Sequence, residues 1–130
     1  MKTIAPRGDA LGHHLARLNG SLNVAGGLWP LLHRRSFEAV FGSKVDRWLQ
    51  YTVAGLLVGN GIAQLRAEDT PEGHRHARRV GVATAATLLA VDLIYVPAGR
   101  IPKTYLLDAA MEAAVLACWG MQAARAVGKR

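Results

Sequence analysis

A chain of 130 residues with a net charge of +7 is long enough for one domain and too short for two independent cores. Its one cysteine, Cys118, excludes an internal disulfide, CxxC redox chemistry and a Cys-rich zinc site. The basic excess would suit nucleic acid if it formed one face. Instead Lys and Arg gather at the ends of long apolar runs, as in loops that flank membrane helices, so no nucleic-acid partner is expected.

Residues 1–9 contain Pro6, Gly8 and several charges and read as a flexible tail. No apolar core follows Lys2 and Arg7, so the expectation is that no cleaved signal peptide opens the chain. Asp9 suits the N-cap of a first helix, about 10–32, in which Asn19, Asn23, Gly26 and Pro30 recur at near-helical spacing. Trp29 falls where an interfacial aromatic belongs. The connector His33–Arg47 is charged but interrupted by Phe37, Val40 and Phe41. There Ser36 can cap a short amphipathic turn that ends near Gly42.

The second helix, 48–65, has no charge, and at helical rise it extends about 27 Å, close to the hydrocarbon thickness of a bilayer. Gly55, Gly59 and Ala63 form a small-residue stripe that admits a neighbouring backbone. Asn60 lies deep in this helix and needs a partner. The stretch Arg66–Arg79 reads as a polar loop with a turn at Pro71–Gly73. His74 and His76 in that loop match no recognised metal-ligand spacing, so they read as solvated and no metal or cofactor is indicated. The third helix, 80–98, carries Asp92 as its only charge. A turn follows between Pro97 and Pro102, then a fourth helix, 104–124, and a basic tail, 126–130.

The fold class that follows is all-α: a single domain, 10–125, forming an up-and-down four-helix transmembrane bundle with short loops. The N-terminal segment, the second loop and the tail together carry ten Lys and Arg against six in the other two loops. The positive-inside rule therefore places both termini in the cytoplasm of a cell with the chain in its inner membrane. A soluble basic helical bundle is the remote alternative.

Three carboxylates interrupt the second hairpin. A charge at mid-helix costs about 2.5–3.5 kcal/mol on the insertion scale, so Asp92, Asp108 and Glu112 should face the bundle interior. From the turn, Asp92 lies about 9 Å deep, and Asp108 and Glu112 about 6 and 12 Å, so all three share one half of the bilayer. Asp108 and Glu112 are i and i+4 on a face continued by Val115 and Trp119, while Asp92 shares its face with Gly81, Ala85, Leu88 and Tyr95. The first connector reaches the same side, so Arg34, Arg35, Lys44 and Arg47 are expected as a basic lid, with His33, Tyr95 and Tyr105 nearby.

Two roles suit the acids. They can lock helix order through ion pairs or hydrogen bonds, or they can bind a ligand or relay protons, with Asn23 a further candidate. Asn19, Asn23 and Asn60 more simply hydrogen-bond between helices, and Cys118 more simply packs.

The stretch GLWPLLHRRSFEAVFGSKVDRWL, Gly27 to Leu49, resembles a signature in a group of small, uncharacterised bacterial membrane proteins with four predicted helices. Asp92-Leu-Ile-Tyr95, Gly99, Ile101, Tyr105-Leu-Leu-Asp108 and Glu112 resemble the second half of that pattern. The two blocks cover about a third of the chain. The resemblance implies an integral membrane protein and brings no activity or catalytic residues with it.

Two functional classes remain in front. A structural or accessory subunit would pack against other membrane subunits or itself, using the last helix's face of Leu106, Ala110, Ala113 and Ala117. A binding protein would take a small ligand, lipid headgroup, quinone or cation, or relay protons, at the acidic cluster. No nucleophile–base pair or phosphate loop points to an enzyme.

Overall fold

The computed structural model describes residues 9–128, and among these there are five helices and no strand. They are α1 (Ala10–Leu32), α2 (Arg34–Phe41), α3 (Arg47–Leu65), α4 (Pro71–Tyr95) and α5 (Tyr105–Gly128). The expected tail, 1–9, lies outside the described residues except for Asp9, as do the last two residues of the basic tail. Asp9 caps α1, its side chain accepting from the Gly12 N–H.

The short turn expected after His33 is a full helix, α2. Its cap is His33 rather than Ser36: His33 Nδ1 accepts from the Ser36 N–H at 3.3 Å. The helix ends at Gly42, whose φ of 87° is open to glycine and costly to other residues.

The expected loop 66–79 is the larger correction. The chain turns only over 66–70, and α4 starts nine residues earlier than the apolar run would place it. Thr70 caps it by accepting from the Gly73 N–H at 3.0 Å, Pro71 takes the first helical position, and Glu72 adds an acid to the first turn. Gly73 looks like a turn residue but is there for space, since a Cβ would meet the carbonyl of Glu68. His74 is therefore buried in the first turn of α4, not solvated. At the far ends α4 stops at Tyr95, short of Ala98, and α5 runs through Arg125 into the expected tail.

α1 packs antiparallel along α3, and α4 along α5, with α3 and α1 both meeting α4 between the pairs. The α1–α3 contact is made by glycine. Gly20 faces the Gly61 carbonyl and Leu65, and Gly27 faces the Ala54 carbonyl and Val58, leaving no room for a Cβ at either. Gly55 and Gly59, the expected packing pair, have nothing within 4 Å of where a Cβ would stand, and Ala63 is only half-buried. The helix turns its other glycine face inward because that face also carries Gln64.

Gln64 is the centre of the core. It accepts from Asn23 Nδ2 at 2.8 Å and donates to Asn19 Oδ1 at 2.7 Å and to the Ala77 carbonyl at 3.2 Å. Trp119 Nε1 donates to the same Asn19 oxygen at 3.0 Å, so one network ties α1, α3, α4 and α5. Gly81 lies directly beneath it, where a Cβ would strike Asn19, Trp119 and Gln64. Asn60 finds its partner in Thr84, at 3.0 Å.

The interior is thus polar and small, and the outside is apolar. The buried apolar residues are Leu15, five alanines and Trp119, whereas Leu32, Trp48, Leu56, Ile94 and Leu107 are 61–78% exposed. Among the described residues, no helix is long and apolar enough to cross a membrane by mean hydropathy.

Candidate functional site

Asp92 is brought to the interface of α4 and α5 by a stripe of His74, Ala77, Gly81 and Ala85 on its own helix, spaced three or four residues apart. From α5 come Glu112, buried, and Asp108, half-buried one turn earlier. Asp108 is close enough to both Asp92 and Glu112 for its charge to act on each, so the three carboxyls form one cluster. Asp92 and Glu112 are 2% and 4% exposed, and Asp92 Oδ2 has no hydrogen-bond partner among the described residues. A proton shared between neighbouring carboxyls turns their repulsion into a hydrogen bond, which is what such a cluster can do chemically.

The basic lid is not assembled. Among the described residues no salt bridge reaches Asp92, Asp108 or Glu112. Arg34 lies 3.9 Å from Glu38 on its own helix, and Arg35 and Arg47 are exposed. Only Lys44 approaches α5. Its Nζ donates to the Phe41 carbonyl at 2.8 Å and sits 4.7 Å from the Tyr105 ring centroid, a cation–π contact. Burial lowers the Lys44 pKa, partly offset by the nearby Glu38 carboxylate.

Aromatic packing explains why the lid failed. α2 docks through Phe37 and Phe41, which with Trp29 and Tyr105 form a chain of ring contacts at 4.7–6.0 Å between centroids. Trp29 Nε1 also donates to Ser36 Oγ at 2.7 Å. That face of α2 meets the bundle, which leaves Arg35 outside.

Of the other expected site residues, Tyr105 adjoins Asp108, half-buried under Phe41 and Lys44. Tyr95 is exposed, His33 is exposed and serves as the α2 cap, and Asn23 belongs to the Gln64 network. Gly81 and Ala85 are buried on the inner stripe of α4. Gln64 was not anticipated, although it lies three residues after Gly61 on one helical face. His74 was not anticipated either. Its signal was the Asp92 stripe, which reaches His74 when continued back through Ala77.

Comparison with protein-family models, with curated proteins and with solved structures gives no match. The site therefore rests on its own geometry.

Proposed function

We propose that this chain is a small multi-pass protein of the cytoplasmic membrane that serves as a packing subunit of a membrane assembly. The observation that carries this reading is the inverted polarity: Asn19, Asn23, Gln64, Asp92 and Glu112 are inside, and the large aliphatic side chains are outside. In water this arrangement exposes apolar surface and buries polar groups, both unfavourable. In lipid the exposed apolar surface costs nothing, and burial keeps the polar groups out of hydrocarbon. Inward amides and acids lower the mean hydropathy of α1, α3 and α5, and in α4 the basic stretch 75–79 adds to the effect of Asp92.

The packing role is supported by two outward stripes. Leu106, Ala110, Ala113 and Ala117 on α5 are all exposed, and Gly55 and Gly59 on α3 stand open. Small residues facing lipid let another helix approach closely, where van der Waals contact drives association. The resemblance of residues 27–49 to small four-helix membrane proteins points the same way, and the positive-inside bias puts both termini in the cytoplasm.

Fractionation followed by an alkaline wash tests the location: the chain stays in the membrane pellet, and recovery in the soluble fraction sinks the reading. Purification in mild detergent tests the role. A stoichiometric partner is expected, and a homogeneous monomer without one counts against a subunit.

The unpartnered Asp92 Oδ2 favours a second reading, in which the carboxyl cluster handles a proton or a small cation. Asp92→Asn with Glu112→Gln should then fold normally and lose pH-dependent or cation-dependent behaviour. If the double variant behaves like the wild type, the cluster is structural.

A further inference from the structure

We infer that His13, Asp69 and His74 form a binding site for a divalent transition-metal ion of the zinc type. The three residues come from the first turns of α1, the α3–α4 connector and the first turn of α4, and their ligand atoms all lie within 4.8 Å of one another. His74 Nε2 is 2.9 Å from Asp69 Oδ1, and His13 Nδ1 is 3.8 Å from Asp69 Oδ2. Ligands at tetrahedral zinc distances stand about 3.3–3.5 Å apart, so these separations bracket what a bound ion requires.

Alignment separates a metal site from a simple His–Asp hydrogen bond. His74 is 2% exposed, yet among the described residues neither of its ring nitrogens has a hydrogen-bond partner, and Asp69 Oδ1 has none. Nε2 and Oδ1 are at hydrogen-bond distance without hydrogen-bond direction. Two buried acceptors that approach without pointing at each other suit a shared third atom that accepts both lone pairs. Leaving them unsatisfied would be costly.

The fold also reserves the space. A Cβ at Gly12 would overlap His74 Nδ1, so glycine at that position of α1 admits the ring. Asp69 and His13 have side chains 37% and 42% exposed, which gives the ion a path from water.

The ligand set selects the metal class. Two imidazoles and one carboxylate suit zinc and neighbouring divalent ions, whereas magnesium and calcium prefer all-oxygen shells. Three protein ligands leave at least one coordination position for water or a further ligand. An ion here would pin the start of α1 to the start of α4. It would bind the folded state preferentially and raise its stability.

The test is a zinc titration of the full chain, made without a histidine tag, purified in mild detergent and stripped with chelator. One equivalent should bind saturably, and cobalt(II) should give the visible absorption of a low-coordinate site. Asp69→Asn and His13→Gln alter half-buried side chains, so folding should survive in both, and each should weaken binding by more than about tenfold. His76→Gln, exposed on the opposite side of α4, should bind as the wild type does. Failure of the wild type to bind one equivalent, or unchanged affinity in the folded Asp69→Asn and His13→Gln variants, overturns the assignment.

Discussion

Gly81→Ala sets helix propensity against the polar network. In an unconstrained helix interior alanine is favoured over glycine by about 1 kcal/mol. At Gly81, however, the new methyl would stand 2.6 Å from Trp119 Nε1 and 2.7 Å from Gln64 Nε2, and closer still to Asn19 Oδ1. None of the three can withdraw freely. Trp119 and Gln64 are fully buried, and each is tied to Asn19 by a hydrogen bond. Displacing them breaks at least two buried hydrogen bonds, and each group left unsatisfied costs about 1–3 kcal/mol. The clash therefore outweighs the propensity gain, and Gly81→Ala should destabilise by about 2–4 kcal/mol. Gly55→Ala supplies the control, since nothing lies within 4 Å there and the propensity gain should stand alone. Unfolding of both variants in detergent, followed by helical circular dichroism, decides the matter. A Gly81→Ala protein as stable as Gly55→Ala would refute the described packing of Asn19, Gln64 and Trp119.

Phe41→Ala should undock α2, because Phe41 bridges Tyr105, Trp29 and Phe37. The loss is about 2–4 kcal/mol for removing such a ring, and it should appear as faster proteolysis within 34–47; an unchanged digestion pattern would mean that the ring contacts do not hold the helix. Lys44 titrates below the ordinary lysine value of 10.5, chiefly through burial, so the unfolded chain binds more protons as pH approaches that value. Stability should accordingly rise with pH in that window and the rise should vanish in Lys44→Gln, as read from unfolding midpoints across the alkaline range; identical pH dependence in both proteins would remove the burial argument.

Helix existence was legible in the sequence wherever apolar residues recurred without charge. The bounds of α1 and the grouping of Asp92, Asp108 and Glu112 both follow from spacing and phase alone. The start of α4 was hidden because charge and Gly73 masked a Thr-Pro-Glu helix opening, and a helix end that packs against other helices need not be apolar. The glycine pair on α3 misled for a related reason. Gly55 and Gly59 carry the familiar spacing, but the face that packs is chosen by Gln64, whose amide has to find Asn19 and Asn23. No basic lid forms because aromatic area outweighs charge in placing α2: Phe37 and Phe41 decide how it lies, and the arginines follow. The His13–Asp69–His74 cluster depends on contacts between distant segments, which no local spacing encodes.

Two sets of buried polar groups in this fold differ in kind, and the difference has consequences. The Asn19, Asn23, Gln64 and Trp119 network is neutral, and its amides supply both donors and acceptors to one another. It holds four of the helices together without any proton or ion being taken up. The titratable groups lie on either side of it. Among the described residues, Asp92, Asp108 and Glu112 lie toward the α4–α5 turn with no cation paired to them, and His74 and Asp69 lie toward the termini with lone pairs unused. Ionised or unpaired groups would be a poor choice for holding helices in place, since their energies change with every proton gained or lost. With the neutral network at the centre, a change at either end is expected to leave the helix order intact. Asp92→Asn and Asp69→Asn should therefore act as separate probes of one intact bundle.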